Sequence, residues 1–546
     1  MYTNKKSCYH IGLYFFLFFA ISFSQPSARY RPFDWLLFKE PGRINSLSEG
    51  FEFLYVGTSH GGIYRYNLYS NQYDFPITSA QGLKNNNISS VHFDQNTGIL
   101  WAGSIGGLQY SFTREGDWRY VDFVDIGLRN NDRISQLGNS ENYVWAKANA
   151  VYVKLDKSSG ILAGIYPRPD EINISWSSTN YYEQTDIATI MNDYVLMSGW
   201  MASGSKLIDG YGRYIDITSG LIGKHNDVWI GTSDGTLFQG DKIMEAIFPT
   251  EFGIRGSNIN ALFQNGNNLW IGSKSYDIGR GVTRLNTRNF QTDHYDFDIT
   301  VNMNLTEVHS FYDSENTLWV GGNSVVLVFD KPDNFWRTLS EDRGIPNSDI
   351  TSMVGDSNYV WIGSYYGIRQ IDKKSKREEP MGFEYLFYNH PVNDLLLNEL
   401  GVWIASRTGI YLYDKNNPQI MNALSIGDSY LDFPVSRVTS ICQDNQLFYF
   451  ATNIGVVIVN IQEKFWDMVI PASNYKGLDV SDLLVVGKFC FIGTSQGMFR
   501  INLKSKRTRE YNFDFIGSVN SIEKIGKYVW MGTSEGLIRF KWRKDL

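Results

Sequence analysis

One phrase, repeated along the chain, constrains the fold more than any other feature. An apolar residue, an aromatic, a second apolar residue, Gly or Ala and a small residue lead into a turn with glycine. It reads Leu100-Trp101-Ala102-Gly103-Ser104, Val228-Trp229-Ile230-Gly231-Thr232 and Leu269-Trp270-Ile271-Gly272-Ser273. It returns as Val360-Trp361-Ile362-Gly363-Ser364 and Val529-Trp530-Met531-Gly532-Thr533. Anchors fall at Tyr55, Trp101, Trp145, Leu196, Trp229, Trp270, Trp319, Trp361, Trp403, Tyr449, Phe491 and Trp530, spaced by 33 to 51 residues and mostly by 39 to 46. A period near 40–45 residues holding about four short strands is the signature of a β-propeller. Helical repeats would show a 3.6-residue rhythm, which is absent.

One unit reads strand by strand from Phe335 to Asp372. Phe335 to Leu339 alternates apolar and polar residues and predicts a half-buried strand. Gly344-Ile345-Pro346-Asn347 predicts a loop, Ile350 to Val354 a strand, and Tyr359 to Ser364 the Trp-bearing strand. Tyr365-Tyr366-Gly367 predicts a tight hairpin into Ile368 to Ile371. Composition agrees with an all-β chain: Phe 34, Tyr 34 and Trp 15 make 15% aromatic, alongside 50 glycines.

Twelve anchors predict about twelve four-stranded blades, which exceeds the usual four to eight of one ring and suggests two β-propellers. Equal division gives a first propeller over 25–288 and a second over 289–546; a seven-plus-five split or an inserted ring remains open. The chain starts with a lone strand, Trp35 to Phe38, and ends after Leu537-Ile538-Arg539-Phe540 with no outer strand following. The first strand is therefore expected to complete the last blade and cover its edge.

Residues 1–24 read as a secretory signal: Lys5 and Lys6, an apolar run from Ile11 to Phe23, then Ser22-Phe23-Ser24 at a cleavage site. The protein is expected to be exported, periplasmic or secreted, with no later membrane-spanning segment. Net charge is −7, which argues against nucleic acid as a partner. Cys442 and Cys490, the cysteines after the signal, are expected to be buried thiols in neighbouring strands.

The phrase, in Val360 to Ile368 and Val529 to Leu537 above all, resembles the two-component regulator propeller repeat. That resemblance implies paired propellers outside the membrane, forming the ligand-sensing part of hybrid histidine kinases that respond to polysaccharides. The chain shows no kinase core or receiver domain, so what is expected to carry over is the propeller pair and a ligand or partner face.

No catalytic motif of the hydrolase, zinc-peptidase or phosphate-loop kind is present, and no catalytic residue is assigned. Neither metal nor cofactor is expected. His60, His92, His225, His294, His309 and His390 show no ligand spacing and are expected in loops or at the surface. Asp293, Asp296 and Asp298 lack the glycine and distal glutamate of a calcium loop. Asp94 to Gly98 predicts a plain hairpin turn. Trp176, Tyr181, Tyr182 and Trp200 fall in an irregular stretch, as a binding loop or as packing at a junction.

Binding is better motivated. The tips between Trp strand and hairpin glycine share one face of a propeller. They supply His60, Asp234, Tyr276, Arg280, Tyr365, Tyr366, Arg407, Gln496 and Glu535; the entering loops add Asn85 to Asn87, Asn130, Asn131 and Asn347. Amides, guanidinium groups and exposed rings suit a glycan or a peptide, or the surface of an envelope protein. The chain is expected to be a non-enzymatic scaffold. The alternative is a propeller-type polysaccharide lyase or glycosidase, which needs titratable side chains with shifted pKa at the ring axis.

Overall fold

The computed structural model describes residues 29–546 apart from 179–193, 205, 224–226, 242, 275–279, 297–306, 334, 424–427, 430–434, 461 and 464. The side chains of residues 280, 296, 428 and 429 also fall outside the description. The expected signal, residues 1–24, lies outside it. The described residues form strands and short 3-10 turns, arranged in eleven antiparallel-built sheets. Numbered as blades in chain order, these cover 44–77, 88–122, 134–166, 214–250, 258–296, 308–339, 350–378, 392–422, 440–471, 480–511 and 519–540.

The repeated phrase has a direct physical meaning. Its aromatic is buried in the sheet face, with Trp101, Trp145, Trp229, Trp319 and Trp403 fully excluded from solvent. Its glycine is the point where the next blade closes in. A Cβ at Gly57 would come 3.0 Å from Ile88, and one at Gly363 would come 2.8 Å from Val392. Only a residue without a side chain lets a β-branched residue of the neighbouring inner strand sit there. The same contact joins blades far apart in the sequence. A Cβ at Gly231 would come 2.5 Å from Ile44, where blade 4 meets blade 1, and one at Gly532 would come 2.7 Å from Ile259, where blade 11 meets blade 5.

The inner strands of blades 5 to 11 thus lie side by side in a closed circle of seven, the last returning to the first. Those of blades 4, 1, 2 and 3 run in that order. Between blades 3 and 1, Ser175–Trp176 pairs with the free edge of blade 3's inner strand. Ser177 and Ser178 follow it, and Ser178 Oγ accepts from Leu47 N at 2.5 Å. The hydroxyl and amide side chains of inner strands stitch each blade to the next. Ser46 Oγ accepts from Val91 N at 3.1 Å, while Asn45 Nδ2 donates to Ile88 O at 2.8 Å.

The strand Trp35–Phe38 pairs antiparallel with Gly536–Phe540, Trp35 opposite Phe540 and Phe38 opposite Leu537, and completes blade 11. The chain then enters the four-blade unit and returns to blade 5, so the smaller unit is inserted into the larger ring's sequence. The expected division near Arg288 falls inside blade 5, between Arg280–Asn286 and Thr292–Asp296, which pair as one hairpin. Even spacing of anchors carries no information on which inner strands meet. Leu196, taken as an anchor, lies in Val195–Leu196, which adds a parallel outer strand to blade 4.

Candidate functional site

Several hairpin tips are held by the hydroxyl that follows the phrase's glycine. Thr58 Oγ1 donates to Gly62 O, Ser364 Oγ to Gly367 O and Thr533 Oγ1 to Gly536 O, at 2.9, 3.1 and 2.8 Å. The same oxygens accept from tip amides: Tyr366 N reaches Ser364 Oγ and Glu535 N reaches Thr533 Oγ1, both at 3.1 Å. Tip side chains are therefore presented on turns rigid before any ligand arrives.

Two of the expected tip residues, from different units, open into one cleft. His60 comes from blade 1 and Glu535 from blade 11, and Asn85 to Asn87 come from the loop entering blade 2. The cleft holds about 680 Å³. Its floor and walls include Lys39 and Glu40 of the crossing segment after Phe38, Ser257 before blade 5, and Asp514 and Phe515 before blade 11. Lys39 Nζ pairs with Glu535 Oε2 at 3.0 Å. Asn86 braces the loop, its Oδ1 accepting from Ser79 N at 2.8 Å, and Asn85 Oδ1 accepts from Asn87 N at 2.7 Å. The Lys84 ammonium sits 3.5 Å over the Tyr120 ring. Amides, hydroxyls, the Lys39–Glu535 pair and the charged Glu40, Lys84 and Asp514 line this cleft together with the apolar Leu83, Ile105 and Phe515. The mixture suits a ligand with both hydroxyl or carbonyl groups and apolar faces.

The remaining candidates scatter. Tyr366 and Asn347 line a second cleft of about 450 Å³ on blade 7, with Tyr388 and Glu341; Tyr365 is exposed beside it. Arg407 and Gln496 are exposed on other tips, as are Asn130 and Asn131 on their loop. Asp234 turns inward instead: its Oδ1 accepts from Thr232 Oγ1 at 2.6 Å and from Thr236 N at 3.2 Å, so it braces its own turn. Tyr276 and the side chain of Arg280 lie outside the described residues. Lys39 and Ser257 escaped sequence reasoning because they sit on crossings between the two units, and Asp514 because it sits on the loop from blade 10 to blade 11, where no repeat marks them.

Other features resolve into structure. Asp94 is fully buried and pairs with Lys157 Nζ at 2.9 Å, tying blade 2 to blade 3. His92, expected at the surface, lies buried on an inner strand with Nε2 2.8 Å from Asn139 Oδ1; burial pushes it down to about 4. Asp293 pairs with Arg284 at 2.8 Å, and Asp298 lies outside the described residues. The Trp200 ring packs edge-on against Phe238 at 4.9 Å, whereas Tyr181 and Tyr182 lie outside the description. Cys442 and Cys490 are free thiols in one apolar cluster between blades 9 and 10.

The inner strands of the seven-blade ring do carry titratable groups. Burial pushes Asp394 up to about 6, and Asp482 and Glu523 up to about 7. The two aspartates stitch blades: Asp394 Oδ2 accepts from Ile441 N at 2.8 Å and Asp482 Oδ2 from Ile522 N at 2.6 Å. Neither they nor Glu523 line either cleft.

No protein-family model matches the sequence, and no curated protein matches it. Among solved structures, the extracellular domain of the hybrid two component system BT3049 from B. thetaiotaomicron is similar at 16% identity and a TM-score of 0.43, over 90% of this chain and 73% of that one. The corresponding domain of BT4673 from the same organism gives 14% identity and a TM-score of 0.41, over 91% and 70%. The computationally designed Ika8 protein gives 15% and 0.37, over 59% and 94%. At this level of likeness neither ligand nor activity is transferable.

Proposed function

We propose that this chain is an exported, non-catalytic recognition scaffold of the sensor-propeller kind, holding a glycan in the cleft between its four-blade unit and its seven-blade ring. One observation carries the reading: His60, Asn87, Glu535 and Lys39, drawn from both units and the segment between them, line one cleft of about 680 Å³ whose walls also offer the apolar surfaces of Leu83, Ile105 and Phe515. Amides and hydroxyls on braced turns suit a ligand rich in hydroxyls, each able to donate and accept. The signal-like features of residues 1–24 and the resemblance of the repeat to the two-component regulator propeller support export and sensing. The test is a glycan array followed by calorimetric titration of the fragments retained. His60→Ala combined with Asn87→Ala should weaken binding about tenfold or more with the melting temperature unchanged. An array without a binder, or a double variant that binds as the parent does, would sink the reading.

A lyase or glycosidase is the second reading, favoured by the raised carboxyls of Asp394, Asp482 and Glu523. It requires purified protein to release reducing ends or unsaturated products from a polysaccharide, with loss of that activity in Asp482→Asn. Against it, the aspartate oxygens are engaged by backbone amides rather than turned to a cleft.

A further inference from the structure

The second cleft differs in chemistry from the first. Its two rings are exposed, Tyr366 by 51% and Tyr388 by 68%, and their neighbours in the chain, Tyr365 and Tyr385, are exposed by 50% and 73%. Large apolar side chains gathered at a surface mark an interaction site rather than a stability device. They are also held in place. Tyr365 and Tyr366 occupy the braced tip of blade 7. Tyr385 lies in the 3-10 turn Glu384–Phe387 and Tyr388 follows it, and the turn is pinned by the fully buried Phe387. That turn lies directly against the tip, since a Cβ at Gly367 would come 2.9 Å from Phe387 O. Glu384 accepts from Gly382 N at 2.9 Å and fixes the entry to the turn.

Charge decides the class of occupant. Among the described lining residues the cations reduce to Arg369, which Glu378 takes at 3.1 Å. Glu341 then leaves the cleft with a net negative charge beside its tyrosine faces. π faces and a carboxylate attract cations together, whereas an uncharged saccharide has no use for the carboxylate's charge. Asn347 and Asn389 add amides able to meet a peptide's main-chain groups. We infer that the Tyr366–Tyr388 cleft docks an extended, lysine- or arginine-bearing peptide segment of a partner protein. This site is separate from the glycan cleft and stands whether or not that cleft is occupied.

The probe is a fluorescein-labelled decapeptide in which Lys and Arg alternate with Gly and Ser, read by fluorescence anisotropy on the full chain. It should bind, and weaken several-fold as salt rises to about 0.3 M. The counterpart with Glu in place of the basic residues should bind about tenfold more weakly. Tyr366→Ala combined with Tyr388→Ala should lose about tenfold, and Glu341→Gln about threefold. Asn87→Ala, in the other cleft, should leave the anisotropy curve unchanged. Equal binding of basic and acidic peptides overturns the inference. So does an unaltered curve for the tyrosine double variant at an unchanged melting temperature, or displacement of the peptide by a neutral oligosaccharide.

Discussion

Asp394 and Asp482 occupy the inner-strand position that serine holds at Ser310, Ser352 and Ser521, just past the register shift that opens these strands, and at Ser440, opposite Ala451. Serine does the stitching there without charge: Leu395 N donates to Ser352 Oγ at 3.1 Å. A carboxylate does it with two oxygens but must leave water, and burial raises Asp394 to about 6 and Asp482 to about 7, each from 3.8. Asp394 also raises Asp482 through like charge. The sign follows from proton counting. Between about pH 4 and pH 7 the folded chain holds protons that the unfolded chain has released, so this contribution is full below about 4 and lost as pH rises through 6 to 7. The melting temperature of the wild type should therefore fall relative to that of Asp482→Asn between about pH 5 and pH 8, measured by circular dichroism. A difference that stays flat over that range would show that the pair titrates as ordinary carboxylates. These aspartates were invisible as a pair in the sequence. Their relation depends on which inner strands are neighbours.

At the scale of the element, strands were readable where their signal is local. The predicted strands at Phe335 to Leu339, Ile350 to Val354, Tyr359 to Ser364 and Ile368 to Ile371 match Phe335–Leu339, Ile350–Gly355, Tyr359–Ser364 and Gly367–Asp372. Alternation and turn glycines fix such segments within a few residues of chain. Leu196 misled because an apolar run followed by a small residue and Gly mimics the phrase, although it forms only an edge strand. The closing strand was legible through an absence, a last blade one strand short. Leu37, fully buried opposite Ile538, is its keystone. Leu37→Asp should remove several kcal/mol, about 3–5 by the usual cost of an unpaired buried charge, and broaden the urea transition. The glycine of the phrase permits a sharper test. Gly532→Ala places a methyl 2.7 Å from Ile259 and should cost about 1–3 kcal/mol. Combined with Ile259→Ala, the loss should be smaller than the sum of the single losses, because the intruding methyl then occupies the space vacated. Strict additivity would mean that the blade 11 to blade 5 contact does not close the ring.

For the whole molecule, the question is what makes the inserted four-blade unit and the seven-blade ring one body, since the larger cleft is lined by residues of both. Repeat spacing could not answer it, and Lys39 and Ser257, on the crossings between the units, went unnoticed for that reason. Opposite geometry supplies the answer: an arginine caged by rings from three blades. Arg539, 5% exposed on the last strand, lies 4.7 Å from the Phe75 ring of blade 1, 5.1 Å from Phe290 of blade 5 and 4.3 Å from Tyr528 of blade 11. Phe75 meets Phe290 edge-on at 5.2 Å and Phe33 at 5.3 Å, and Arg65, 4.8 Å over Phe53, continues the stack with Asp74 and Glu115 as its counter-ions. Burial lowers Arg539 to about 10, still charged at neutral pH, so the cage holds a full cation. Desolvated contacts of this kind are worth about 2 kcal/mol or more each, and they add to apolar packing that already spans the two units, where Ala80 joins Trp35 and Phe515 in one cluster. Calorimetry of the wild type should show one transition. Arg539→Ala should split it in two, and Arg539→Lys should not restore the single peak, because a compact ammonium cannot face three rings as a planar guanidinium does. A single undivided transition in Arg539→Ala would place the coupling elsewhere. In the split variant glycan affinity should fall as well, since the cleft walls belong to both units.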